Sequence, residues 1–317
     1  MTKIRESGND SMIEDRRGQG GGGGGGLSFP GLGGGGGGGG LGIPIKAGGG
    51  LLGVLLMLAV AILPKLLGGA GTGSSSGSGV NIPSSGLGTG ADTQGSSSVG
   101  GSGGPCDTDI AQIVCGGQKD VQEFWDRTFT ASGKQYTFAK TVFFSGSTDT
   151  GCGGASSSTG PFYCPADSKV YFDLDFLIQL QDQFGAQGDL AAQYIVAHEY
   201  GHHIQNLLGI SDQVQQADQN NPSGANAMSV KLELQADCLA GVWAHDANAR
   251  GQFDNANEIN EALNAAAAVG DDRIQKQATG RVNPDSFTHG TSEQRVTWFR
   301  RGFDSGSSDQ CDTFSEL

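Results

Sequence analysis

The run His198-Glu199-Tyr200-Gly201-His202 puts two histidines four positions apart, with a glutamate directly after the first. Residues four apart lie on nearly the same face of a helix, so the two imidazoles can converge on one point. Two neutral ring nitrogens suit Zn2+, which takes nitrogen, sulfur and carboxylate ligands in tetrahedral geometry. Glu199 lies about a quarter-turn round the helix, beside such an ion rather than on it. From there it can take a proton from an activated water and pass it to a leaving amine. The run is set among Ala, Ile and Leu, where a polar cluster without a partner would be costly.

Two histidines leave a catalytic zinc one protein ligand short. Leu232-Glu233-Leu234-Gln235-Ala236-Asp237-Cys238 offers two carboxylates, again four apart and able to face the first helix together. Glu233 is the expected third ligand. Asp237 is expected to accept the N–H of a ligating histidine, fixing its tautomer. The plain alternative is a solvated acidic pair, and the vacant ligand position favours the metal reading. The expectation is one catalytic zinc ion on His198, His202 and Glu233, with Glu199 as the base.

The other histidines weigh less. His203 follows a ligand and points elsewhere, toward packing, and His245 lies near a helix C-terminus that favours an imidazolium. His289 sits in Phe287-Thr288-His289-Gly290-Thr291-Ser292-Glu293-Gln294-Arg295, a loop entering a helix, where Thr291 and Gln294 have capping-box spacing. It is a second catalytic candidate, as a donor to the oxyanion formed when water attacks a carbonyl; bracing the loop is the alternative. Arg295 stands similarly, against a helix-surface ion pair.

These residues need a scaffold, and apolar periodicity outlines it. Asp189 to Leu208 reads as the clearest helix, with Asp189 to cap it and Gly209 to end it. Leu190, Tyr194, Ala197, Gly201, Ile204 and Leu208 trace one buried stripe. Further helices are expected near Asp109–Thr128, Leu174–Phe184, Ala227–Ala247, Asn255–Val269 and Ser292–Arg301. Lys134–Phe144 and Ser168–Asp173 read as strands, and Ser145–Gly160 as a Gly/Ser/Thr loop. The domain is therefore α+β, mostly helical, with a small sheet.

Composition sets its limits. Residues 1–104 hold 37 of the 57 glycines and cannot bury enough apolar surface to offset the entropy of ordering. The expected organisation is a disordered Gly-rich segment over 1–46, a transmembrane anchor over 47–67, a Gly/Ser linker over 68–104 and one folded domain over 105–317. Residues 105–317 carry thirteen basic against twenty-eight acidic side chains, a net charge of −15 that disfavours nucleic acid. Ala47–Leu63 is uncharged, and with the stretch to Leu67 it reaches about 20 residues, enough for one crossing. Five of the six basic residues in 1–104 precede the run. That bias predicts a single pass with the N-terminus cytoplasmic and the domain outside. All six cysteines lie in the domain without a C-x-x-C pair, which suits disulfides in an oxidising compartment. Of 15 possible connectivities, Cys152 with Cys164 closes a short loop, Cys238 with Cys311 ties back the tail, and Cys106 with Cys115 remains.

The sequence resembles the bacterial membrane-anchored neutral zinc metallopeptidases. The likeness runs from Glu14-Asp15-Arg16-Arg17-Gly18 through Gly160-Pro161-Phe162-Tyr163-Cys164-Pro165 and Val170-Tyr171-Phe172-Asp173. It continues in Ala197-His198-Glu199-Tyr200-Gly201-His202-His203-Ile204-Gln205 and Glu233-Leu234-Gln235-Ala236-Asp237-Cys238-Leu239-Ala240-Gly241. Gly270-Asp271-Asp272 and Phe287-Thr288-His289-Gly290-Thr291-Ser292 complete it. The resemblance implies a zincin-like fold of the gluzincin type, with a second-helix glutamate on the metal and a protein or peptide substrate. It also implies a strand beside the catalytic helix, expected at Val170–Leu174, that pairs with extended substrate.

Overall fold

Helix α3 (Asp189–Leu207) is the axis of the domain, and every residue from Leu190 to Gly201 is buried. It is therefore enclosed on all sides, where one buried stripe was expected; a helix apolar all round belongs in a core. Helices α1 (Asp109–Ala131), α5 (Ala225–Ala249) and α6 (Asn257–Ala268) surround it. This computed structural model describes residues 2–8, 10–19, 104–184, 188–221, 224–255 and 257–316. The apolar run at 47–67 and the linker at 68–103 lie outside the described residues. Among those described, no helix is long and apolar enough to cross a membrane.

A four-stranded sheet covers one side of the helices. Its order is β1 (Ile13–Asp15), β2 (Lys140–Phe144), β6 (Lys169–Asp173), β5 (Phe162–Cys164). The first three strands are parallel and β5 runs antiparallel to β6. A hairpin of β3 (Ser147–Thr150) and β4 (Gly153–Ser156) stands where a loop was expected. Both hairpin strands are largely exposed, so no apolar alternation announces them. In the Lys134–Phe144 stretch only the part from Lys140 onward is strand.

Helix α2 (Leu174–Phe184) begins where Asp173 accepts from the backbone N–H groups of Asp175 and Phe176. Helices α4 (Ile210–Asn220) and α7 (Asp271–Thr279) were not foreseen. They bury only Val214, and only Asp271 and Gln275, respectively, so neither shows a helical apolar stripe. Helix α8 (Ser292–Ser305) is capped by the expected box, in which Thr291 Oγ1 accepts from Gln294 N and Gln294 Oε1 accepts from Thr291 N. A short α9 (Thr313–Glu316) ends the described chain.

Glycine sets how closely the long helices approach. A Cβ on Gly201 of α3 would lie 3.0 Å from Ala236 Cα on α5. Gly241 on α5 and Gly302 on α8 face each other's backbones, and a Cβ on either would overlap a carbonyl oxygen, of Phe299 and Cys238 respectively. Glycine inside a helix costs about 1 kcal/mol against alanine, so close packing is what offsets it here.

Residues 2–8 and 10–19 correct the expectation of a disordered segment over 1–46. They belong to the domain. Strand β1 pairs with β2 in the register Ile13↔Thr141, Glu14↔Val142 and Asp15↔Phe143. Ahead of it the backbone of Ile4 and Arg5 lies on Gly116 of α1, where a Cβ would come within 2.7 Å, which accounts for glycine in mid-helix. Three disulfides join Cys106 to Cys115, Cys152 to Cys164 and Cys238 to Cys311, the pairing expected.

Candidate metal centre

His198 and His202 project from one face of α3 with ring centroids 4.8 Å apart. The tight crossing at Gly201 and Ala236 brings the first half of α5 against them, and Glu233 reaches both. Its Oε2 lies 3.1 Å from His198 Nε2 and its Oε1 3.4 Å from His202 Nε2. One donor atom from each of the three residues lies within 4.8 Å of the others, a spacing that admits one metal ion.

Each of the two rings is held from behind. His198 Nδ1 donates to Asp237 Oδ1 at 2.9 Å, which leaves Nε2 to face Glu233. His202 Nδ1 donates to Gln205 Oε1 at 2.8 Å, and Gln205 Nε2 is fixed by Leu232 O and Gln235 Oε1 on α5. Asp237 is fully buried and accepts two hydrogen bonds from Arg295, 2.8 Å from Nε and 2.9 Å from Nη2. Tyr194 donates to it as well, at 2.5 Å. Arg295 therefore lies in the interior of the site, which removes the helix-surface ion pair considered for it. Gln205 and Tyr194 went unrecognised in the sequence. Gln205 stands three positions after His202, one helical turn on, and that spacing was the available signal.

The electrostatics fit a divalent cation. Glu199, Glu233 and Asp237 are buried with one guanidinium, Arg295, so neutral imidazoles leave two negative charges in a low-dielectric space. Burial opposes a charge on His198, yet Asp237 and Glu233 hold its ring up to about 10. Burial likewise opposes ionisation of Glu233, but His202 and His198 keep its carboxyl well below the ordinary range. Without a metal the cluster satisfies itself by binding protons, and a divalent ion on the same three donors does this directly. Burial raises the carboxyl of Glu199 above its ordinary value, which suits a group that must both take and return a proton.

His289 is anchored by Asp271 at the start of α7. The fully buried Asp271 accepts from the backbone N–H groups of Thr288, His289 and Gly290, at 2.7, 2.6 and 3.1 Å. Its other oxygen lies 3.1 Å from His289 Nδ1. His203 does not join the ligands. Its Nε2 donates to Thr137 O and its Nδ1 accepts from Tyr163, so it ties α3 to β5 in the neutral form that its burial favours. His245 is remote from the site and donates to Phe303 O.

The strand expected to face substrate requires correction. β6, with Val170, is hydrogen-bonded on both sides, by β2 and β5. The outer strand on that side is β5, whose Tyr163 hydroxyl meets His203 and Asn206 just past His202.

A paired-histidine helix and a glutamate from a second helix supply three donors that could hold one metal ion, with a buried carboxylate beside them. The chain belongs to the family described as "Putative neutral zinc metallopeptidase", whose profile matches residues 2–314. Among curated relatives, "Uncharacterized protein YpfJ" of Escherichia coli K12 is 52% identical over 197 residues, covering 62% of this chain and 68% of that protein. "Uncharacterized protein Rv2575" of Mycobacterium tuberculosis H37Rv is 51% identical over 190 residues, covering 57% of this chain and 64% of that protein. No solved structure matches the chain.

Proposed function

We propose that the protein is an endopeptidase that hydrolyses peptide bonds with one zinc ion held by His198, His202 and Glu233. The observation that carries this reading is the convergence of those three donors beside Glu199, with both rings braced by Asp237 and Gln205. Zinc there would supply Lewis acidity, lowering the pKa of a water and polarising a carbonyl. Glu199 takes the proton from the attacking water and delivers it to the departing amine, so one carboxylate serves as base and then acid. Asp237, itself clamped by Arg295, keeps His198 in one tautomer and increases its basicity.

His289, held by Asp271, donates a hydrogen bond to the oxyanion as it forms. The substrate is protein or peptide. Three disulfides support action outside the cytoplasm.

The test compares the full-length protein with Glu199→Gln, each loaded with zinc, on a mixture of unstructured peptides. The variant should keep its zinc by elemental analysis and lose hydrolysis by about 10³-fold or more, as for removal of a general base. Undiminished cleavage by Glu199→Gln would remove Glu199 from the mechanism.

A further inference from the structure

The amino-terminal residues are bound to the domain at both ends of the stretch they span. Lys3 N donates to Gln252 O at 2.9 Å, and Glu6 N to Gln112 O at 3.1 Å. Gln193, on the metal-bearing helix, donates to Ile4 O at 2.6 Å, and Arg5 pairs with Asp189 at the start of that helix at 3.0 Å. Gly8 exchanges backbone hydrogen bonds with Cys106, which its disulfide fixes to α1. Strand β1 then completes the sheet, with Thr141 N donating to Met12 O and Arg16 N to Phe143 O. Lys169 reaches Glu14 at 2.7 Å. At the far end Arg17 meets Asp107 at 2.9 Å and Pro105 O at 2.8 Å.

Residues 2–19 and the chain from residue 104 onward thus meet at the same guanidinium. The stretch between contains one apolar run, at 47–67, with length for one bilayer crossing and not for two. One crossing would put residues 2–19 and 104–316 on opposite faces, with about 30 Å of hydrocarbon between strands that are paired here. The single-pass arrangement with a cytoplasmic N-terminus therefore cannot coexist with β1 in the sheet. We infer that residues 2–19 and the metal-site domain occupy the same side of the membrane, and that any contact of the 47–67 run with a bilayer begins and ends on that side. The amino terminus is part of the support of α3 rather than a tail across the membrane from it.

Single cysteines report sidedness in the full-length chain with its native disulfides. Ser11→Cys and Lys134→Cys sit at exposed positions of the amino-terminal segment and the domain, and Gln19→Cys with Asp304→Cys gives a second pair. Intact cells are treated with a membrane-impermeant maleimide, and again after permeabilisation. The inference expects both members of a pair to react in intact cells, or both only after permeabilisation. It is overturned if one member reacts in intact cells and the other only once the membrane is opened. Two pairs guard against one substitution disturbing the fold, because the same reciprocal pattern is required of each.

Discussion

At the residue scale, the proposed site divides into atoms that would touch the metal or substrate and atoms that hold those in place. Asp237→Asn keeps the size of the side chain but leaves Arg295 as a buried cation without its carboxylate. It should weaken zinc binding by about 10–100-fold, as for other partners of ligating histidines, read by competition with a chromophoric chelator. Unchanged affinity would show that His198 needs no partner. His289→Ala should lower kcat by about 10²-fold or more with zinc occupancy intact, as for loss of an oxyanion donor. If kcat holds while the loop before α8 exchanges its amide protons faster, bracing is the whole role of His289. The two histidines, Glu199, Glu233 and Asp237 were legible because i, i+4 spacing on a helix is written directly in sequence. Gln205 and Tyr194 were not, because Gln and Tyr are ordinary in helices and their partners lie far along the chain.

At the scale of elements, the long helices were recognisable and their approach distances were not. Gly241 and Gly302 read as small residues in helical segments, and only their mutual contact shows that α5 and α8 touch backbone to backbone. Gly302→Ala should destabilise the domain by about 3 kcal/mol or more through overpacking, measured by urea denaturation. A change under about 0.5 kcal/mol would mean that α8 moves away freely. Strand β1 escaped the sequence reading because three residues in an acidic and basic stretch carry no apolar alternation; charges hold it instead.

Those charges give β1 a pH dependence. Glu14 is lowered from 4.5, chiefly by Lys169 and then Arg16, and Asp15 from 3.8, where Arg17 outweighs the opposing effect of burial. Carboxyls lowered on folding stabilise fully above those unfolded values, and the contribution disappears as pH falls through the lowered ones. Below about pH 4 the amino-terminal segment should therefore become protease-sensitive before α3 does. Equal sensitivity of both would show that the segment and the core open together.

For the whole molecule, the proposed zinc ion and the disulfides would act on one cluster. With free zinc at 100-fold over its dissociation constant, binding adds about 2.7 kcal/mol to stability. A chelator should then lower Tm by roughly 5–10 °C for a domain of this size, and an unmoved Tm would argue against the three-donor site. The Cys238–Cys311 bridge spans 73 residues and contributes about 4 kcal/mol in the loop-entropy account. It also seats Cys311 O against Gln235, the residue that steadies Gln205 behind His202. Reduction should therefore lower zinc affinity as well as Tm. The net acidity of residues 105–317 was legible in composition, the fold class in apolar periodicity, and the disulfide pairing in where the cysteines fall along the chain. Membership of residues 2–19 in the domain was not, because it depends on contacts across a glycine-rich stretch that says nothing of where its ends meet.

The pairing of Ile13 with Thr141 also orders events in time. A ribosome adding about 5–20 residues per second needs roughly 6–26 seconds to make the 128 residues that separate these partners. The segment made first must wait unpaired until β2 exists, and Gln193 and Gln252, which receive Ile4 and Lys3, arrive later still. Through that interval the β1 segment itself is unpaired and open to other chains, so newly made protein is most exposed to chaperones and to aggregation at its amino end until residues 140–144 arrive to pair with it.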